Sequence, residues 1–253
     1  MKWDATLYDD QHGFVTGYGS SLLDVLDPKK GERIVDLGCG TGDLSYEISR
    51  RGAEMMGLDG SRDMIQAAKK KYPKLNFVCL DVYDWNPEPE YDAVFSNAAL
   101  HWMREPDRVL KRIFQALKPN GRLIAELGMK GNIALICEAL EQEWLERCAP
   151  RPLPESPWYF PDFAAYAAEL QTAGFRISWM QAFDRPTRLE DPGQGIVRWL
   201  EMFAPMYLAD LDSGTSEALK QGVQQRLKSR LFQDGSWFAD YRRLRLEARR
   251  PAE

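Results

Sequence analysis

Apolar residues in this chain switch between two spacings. Five runs of seven or eight residues, "ERIVDLG" (32–38), "AEMMGLDG" (53–60), "LNFVCLD" (75–81), "YDAVFSN" (91–97) and "RLIAELG" (122–128), are nearly continuous in apolar or β-branched character. They read as strands covered on both faces. Between them, residues 43–52, 61–73 and 105–121 carry apolar side chains at helical spacing. Asp43 and Ser61 stand where helix caps belong, and Gly52, Pro73 and Pro-Asn-Gly at 119–121 stand where helices stop. Residues 14–27 also have helical spacing, through Phe14, Tyr18, Leu22, Leu23 and Leu26, until Asp27-Pro28 breaks it. Strand and helix thus alternate for about 100 residues, the pattern of a doubly wound α/β fold with a mostly parallel sheet.

The alternation stops after Gly131. Helices are expected at 132–148, 162–173, 191–209 and 214–232, with strands at 175–187 and 239–249. In the last strand Leu244, Leu246 and Ala248 share one face, and Tyr241, Arg243 and Arg245 the other. "APRPLPESPWYFP" (149–161) holds five prolines and reads as an irregular loop or lid. The organisation expected is one domain over 1–253. Residues 28–129 would form a cofactor-binding core, and 132–174 and 189–236 helical insertions that cover the substrate.

Composition narrows the function. The 253 residues carry a net charge of −5, which argues against a nucleic-acid partner. Cys39, Cys79, Cys137 and Cys148 form no CxxC pair, and the only histidines are His12 and His101, so neither zinc nor a disulfide framework is expected. The N-terminal stretch has no apolar h-region and no run is long enough for a membrane span, so the expected setting is cytoplasmic.

The chemistry gathers at the carboxyl ends of the predicted strands. "VDLGCGTG" (35–42) places Gly38, Gly40 and Gly42 in a strand-to-helix turn, where missing side chains let a ligand approach the backbone. The spacing is GxGxG rather than the GxGxxG of dinucleotide sites. Asp59 ends the second run, where an acid accepts from ribose hydroxyls. Asp81 ends the third, placed to accept from the exocyclic amine of an adenine, and Asn97 ends the fourth. Each acid alone reads equally well as a cap, but four such sites at one sheet edge point to a ligand.

"VDLGCGTG", "GLDGS", "CLDVYDW", "YDAVFSNAALHW" and "ALKPNGRLI" occur in the order found in class I S-adenosylmethionine-dependent methyltransferases, and the chain resembles that family over 32–127. "WDATLYDD", "SPWYFPDFAAYAAELQTAGF" and "FDRPTRLE" are similar to the trans-aconitate methyltransferase group. The resemblance implies a Rossmann-like sheet of seven strands, the last antiparallel, with helical cap insertions. It implies S-adenosyl-L-methionine as cofactor and S-adenosyl-L-homocysteine as product. Asp36 and Gly38, Cys39, Gly40 and Gly42 would meet the methionine part, and Asp59, Gly60, Ser61 and Met64 the ribose and adenine face. Asp81 and Val82 would read the adenine edge, and Asn97 and Ala98 would line the methionine portion.

Methyl transfer from a sulfonium is an in-line displacement that mainly needs a well-placed nucleophile. A carboxylate acceptor is already ionised, whereas a hydroxyl or carbon acceptor needs a base. His101 is the candidate catalytic residue, either as that base or as a group that shapes the pocket and hydrogen-bonds the acceptor. Tyr8, Trp102, Trp158 and Tyr159 are expected at the substrate. Arg185 and Arg188 are the preferred cationic partners for a small polycarboxylate, among candidates that include Arg104, Lys130 and Arg151. Two rival readings are a nucleotide-cofactor oxidoreductase, which the glycine spacing disfavours, and a cofactor-binding protein without catalysis. "NAAL" after the fourth strand is not the Asn-Pro-Pro-aromatic pattern of base-flipping methyltransferases.

Overall fold

A computed structural model describes residues 21–88 and 90–252; of the predicted 14–27 helix, 21–26 are helical, Asp27 is not, and 14–20 lie outside the described residues. The alternating segments form β1 Arg33–Leu37, α1 Asp43–Arg50, β2 Glu54–Asp59, α2 Arg62–Lys71, β3 Asn76–Cys79, β4 Tyr91–Asn97, α3 Pro106–Ala116 and β5 Leu117–Gly128. Then follow α4 Ala134–Cys148, α5 Phe163–Thr172, β6 Arg176–Arg188, α6 Gly195–Phe203, α7 Ser213–Leu231, β7 Phe232–Gln233 and β8 Ser236–Arg249. The strand order is β3-β2-β1-β4-β5-β8-β6, with the two-residue β7 paired beside β8. Neighbouring strands from β3 through β5 pair in parallel. The order reverses at β1, so the crevice between the carboxyl ends of β1 and β4 is the switch point where such sheets bind ligands.

The chain forms two compact units. The first comprises the residues up to Lys130, Trp158–Ala182 and the residues from Leu244 on. Its strands send alternate side chains to opposite layers. Val35, Leu37, Val94, Leu123, Ala125 and Leu127 join Leu110 and Ile113 of α3 and Tyr166 and Leu170 of α5. Ile34, Ala93, Phe95 and Ile124 join Leu22, Leu23, Leu26 and Ile48 on the other face. Covering both faces is what made these strands read as unbroken apolar runs.

Four local expectations are corrected. The helix predicted for 105–121 stops at Ala116, because Pro119 cannot follow a helical Lys118 and its ring would clash with the preceding turn. β5 begins at once, and its pairing jumps from Tyr91–Leu117 to Ala93–Arg122. Asp43 is not the helix cap: Gly42, with φ 88, takes that position, and the Asp43 carboxylate instead accepts from the Tyr72 hydroxyl at 2.5 Å and pairs with Lys71. β3 ends at Cys79, so Asp81 lies in the turn beyond, where it accepts from the Tyr83 amide at 3.0 Å. The helix expected at 191–209 ends at Phe203, and a single 3₁₀ turn, Pro205–Tyr207, follows.

The second unit comprises Gly131–Pro157 and Phe183–Arg243. Asp240 of β8 accepts from the Leu135 amide at 2.8 Å and holds the start of α4. Asp212 caps α7 through the Thr215 amide. Lys220 of α7 is clamped by Glu201 of α6 and Glu217. On α4, Glu143 is 3% exposed and pairs with Arg147 and with Arg226 of α7. Burial works to raise its pKa, but the two guanidinium groups outweigh that and hold it below the usual range. β8 changes its buried face along its length. Trp237, Ala239, Tyr241 and Arg243 are buried in the second unit, and Leu244, Leu246 and Ala248 in the first. No helix among the described residues is long and apolar enough to cross a membrane.

Gly222 sits in the middle of α7, and a Cβ there would fall on the Glu143 carboxylate. An interior helical Gly→Ala change ordinarily stabilises by about 0.5–1 kcal/mol. Here Gly222→Ala should instead destabilise by roughly 1–3 kcal/mol, the range for overpacking. Urea unfolding checks this, and a raised midpoint would show that the carboxylate yields freely.

Candidate active site

The three glycines after β1 do different jobs. A Cβ on Gly38, where φ is +75, would collide with Ala99, and one on Gly42 would come 2.7 Å from the Phe77 ring. Those two positions are held to glycine by the protein's own packing. Gly40, with φ +55, faces open space, as does Gly60 beyond β2. The surface offered to a ligand is therefore the backbone of Gly40 and Gly60.

Asp59 ties these two loops together. Its Oδ2 accepts the Gly40 amide at 3.0 Å and its Oδ1 the Ser61 amide at 2.8 Å. Ser61 caps α2 by accepting from the Met64 amide at 3.3 Å, and Met64 is buried beneath. The buried Cys39 places its Sγ 3.8 Å from the Gly40 carbonyl, and burial pushes its thiol pKa up. Val82 is buried, next to the exposed Asp81.

Across the switch point, the Ser96 hydroxyl donates to the Leu37 carbonyl at 2.9 Å and locks the ends of β4 and β1 together. Ala98 follows with φ 56, a left-handed conformation that strains an alanine, and its amide donates to the Glu126 carbonyl at 2.8 Å. Glu126 is paired in register with Asn97, and its buried carboxylate is bound by Arg245 at 2.7 Å. This ion pair was missed in the sequence, although an acid inside the apolar run "RLIAELG" was a visible signal.

His101 lies in the 3₁₀ turn Leu100–Trp102 and is 6% exposed. Its Nδ1 accepts the Gly128 amide at 3.2 Å, and its carbonyl accepts the Tyr159 amide at 2.8 Å. Its ring lies 5.8 Å from those of Trp102 and Phe160. Trp158 stacks on Phe160 at 5.9 Å and meets Trp102 edge-on at 5.8 Å. The Tyr159 hydroxyl donates to Glu169, and the Lys130 amide binds the Pro161 carbonyl at 2.8 Å. The end of the proline-rich segment is thus pinned as an aromatic wall.

The predicted cofactor residues and His101, Trp102, Trp158 and Tyr159 all belong to the first unit. Arg185 and Arg188 belong to the second, where Arg185 lies over the Phe183 ring and Arg188 Nε donates to Ser236 at 3.0 Å. Arg151, also in the second unit, donates to the Asp210 carbonyl and serves the fold. Tyr8 lies outside the described residues.

Two carboxylates dominate the electrostatics. Asp36 is 2% exposed; burial pushes its pKa up to about 7, against the lowering effect of the Ser45 hydroxyl 2.6 Å away, and the Asp59 charge adds to the rise. Burial also raises Asp59, opposed by the Ser61 and Gly40 amides. An acid whose folded pKa exceeds its unfolded value of 3.8 keeps its proton while the unfolded chain releases it. Its contribution to stability is therefore full at low pH and falls as pH rises from about 4 to about 7. The stability of the protein relative to Asp36→Asn should drop by about 1.4 kcal/mol per pH unit inside that window. Urea titrations at several pH values check this, and a constant difference would mean that Asp36 is ionised in the folded chain.

A methyltransferase-domain family model matches residues 34–121. An uncharacterized methyltransferase of Schizosaccharomyces pombe is 30% identical over 97% of both chains. A trans-aconitate 2-methyltransferase of Rhodococcus jostii is 30% identical over 88% of this chain and 89% of its own. Among solved structures, a putative methyltransferase from Bacillus halodurans superposes with a TM-score of 0.65 at 14% identity, covering 92% of this chain and 98% of its own. Near-complete overlap with these relatives agrees with a sheet that reverses at a glycine-rich turn, and the chain belongs to the class I S-adenosylmethionine-dependent methyltransferases.

Proposed function

We propose that the protein methylates a carboxylate oxygen of a small di- or tricarboxylic acid; the Rhodococcus jostii relative is named a trans-aconitate 2-methyltransferase. The observation that carries this reading is the hydrogen bond from the Gly128 amide to His101 Nδ1. A neutral imidazole has one donor and one acceptor nitrogen. An amide N–H can point only at the acceptor, so the proton of His101 sits on Nε2. His101 then has no lone pair left with which to deprotonate an acceptor. A hydroxyl or carbon acid could not use His101 as its base, whereas a carboxylate needs none. In this reading His101 donates from Nε2 to the acceptor and orients it.

S-adenosylmethionine, when bound, supplies an electrophilic methyl group on a sulfonium. The residues fit such a ligand. The bare backbone of Gly40 and Gly60 permits close approach, and the buried Asp36 and Asp59 make the turn attractive to a cation. We assign the methionine part to Asp36, Gly38, Cys39, Gly40, Gly42, Asn97 and Ala98. The ribose goes to Asp59, the adenine face to Gly60, Ser61 and Met64, and the adenine edge to Asp81 and Val82. Trp102, Trp158 and Tyr159 provide the wall on the acceptor side, and aromatic faces there favour a sulfonium. Tyr8, Arg185 and Arg188 remain proposed acceptor contacts.

Asp59→Ala should weaken S-adenosylhomocysteine binding more than tenfold by calorimetry, because it removes both the sugar acceptor and the tie between the loops. An unchanged dissociation constant would contradict the ribose assignment. With a labelled methyl donor, di- and tricarboxylates should be methylated and phenols should not. At saturating cofactor, kcat/KM for the carboxylate should be flat from about pH 6.5 to 9, as expected without a titrating base. His101→Gln, which keeps a donor, should stay within about tenfold of the parent, while His101→Ala falls further. A limb near pH 7 that disappears, with the activity, in His101→Gln would restore the general-base role.

A further inference from the structure

The apolar rows of the sheet fix which polar side chains share a face at its carboxyl edge. Ile34 of β1, Phe95 of β4 and Ile124 of β5 pack in the layer that holds Leu22, Leu23 and Leu26. Two residues on from each, Asp36, Asn97 and Glu126 therefore belong to that same face. Asn97 and Glu126 are direct neighbours across β4 and β5. Glu126 is 2% exposed, and Arg245 of β8 closes on its Oε2 twice, from Nε at 2.9 Å and from Nη2 at 2.7 Å. Nη2 also donates to the Ser21 hydroxyl at 2.9 Å. One guanidinium thus ties β8, β5 and the helical stretch 21–26 together, through charge-assisted bonds, and all of these residues lie in the first unit.

The backbone of Glu126 carries that fixation to the turn after β4. Its carbonyl accepts the Ala98 amide at 2.8 Å. Ala98 has φ 56, which an alanine keeps only where its surroundings impose it. The next residue, Ala99, lies so close to Gly38 that a Cβ there would collide with it. A retreat of Ala98 to an ordinary conformation would therefore disturb the glycine turn as well. Glu126 interrupts an otherwise apolar run, and a buried ion pair is a poor source of stability. Its use lies in the geometry that it imposes.

We propose that Glu126 and Arg245 are positioning residues for the cofactor: their ion pair holds Ala98 in its left-handed conformation and so keeps Asn97 and Ala98 in the shape that receives the methionine part. This rests on the reading of Asn97 and Ala98 as cofactor contacts and is independent of the identity of the acceptor.

The test measures S-adenosylhomocysteine affinity by calorimetry in the full chain. Glu126→Gln and Arg245→Met made together leave no lone buried charge, and should weaken binding about tenfold. The same two changes made on top of Ala98→Gly should cost about threefold or less, because glycine takes a positive φ without support. A pair that served the fold alone would cost the same in both backgrounds. If the double change does not fold, Glu126→Gln alone is compared in the two backgrounds, and the loss should again be smaller on top of Ala98→Gly. An equal or larger loss there, or no loss in the parent, overturns the positioning role. Asn97→Ala separates this from the reading on which it rests, and should weaken binding by itself. Unchanged affinity in Asn97→Ala overturns the cofactor assignment of the β4 turn, and this inference with it. Weakened binding in Asn97→Ala beside equal losses in the two backgrounds overturns the role of the ion pair alone.

Discussion

The carboxylate of Asp59 is the fastening on which the site depends. It stands at the tip of β2 and accepts one amide from the glycine turn after β1 and another from the start of α2. Without it, Gly40 would have an orphan N–H in a turn with positive φ, and α2 would begin without its fixed entry. A carboxylate that accepts backbone amides is oriented by them, and each such bond is stronger than one between neutral groups. The same side chain thus shapes the loop and sets the charge at the turn. The Ser96–Leu37 bond plays the matching part on the other side of the switch point. The Gly38–Ala99 contact then fixes how closely the two strand ends approach.

Burial gives this edge its chemical bias. Asp36 and Asp59 are both desolvated, and the Asp59 charge makes Asp36 harder still to ionise. An acid whose proton is retained mainly because of burial gives that proton up readily when a cation arrives. A sulfonium with an adjacent ammonium suits such a site better than a pyrophosphate, which these acids would repel. The GxGxG spacing, independently of charge, also disfavours a pyrophosphate. The family relationship, found by sequence likeness over nearly the whole chain, points the same way.

Much of the fold was legible because its determinants are local. Unbroken apolar runs marked β1 to β5, and Ser61 capped α2 as its side chain allows. The misreadings came where a neighbour along the chain overrode a good local pattern. Pro119 ended α3 early, and the positive φ at Gly42 displaced Asp43 from the cap. The site was legible only as a set of strand tips. What each tip does depends on partners that spacing cannot reveal: Gly128 for His101, Ser45 for Asp36, and Arg245 for Glu126. Arg243 shows the limit most plainly. Alternation in β8 placed it on the face opposite Leu244 but said nothing of its burial, and the strand buries both faces in turn.

These buried polar groups are poor choices if stability alone is the criterion. A neutral imidazole fixed by an amide, an alanine in a left-handed turn, a desolvated aspartate and a guanidinium among aromatic rings could each be replaced by something that folds at least as well. Their concentration at one sheet edge and in one aromatic cluster, against a sheet core that is almost wholly apolar, is therefore informative. Strain and desolvation that persist in a stable domain are offset elsewhere, here by the two apolar layers on either side of the sheet. The tautomer of His101 follows the same logic. An imidazole needed only for packing could point either nitrogen at Gly128 or be replaced by an apolar ring. One held with Nδ1 on a backbone amide presents a single donor, at Nε2.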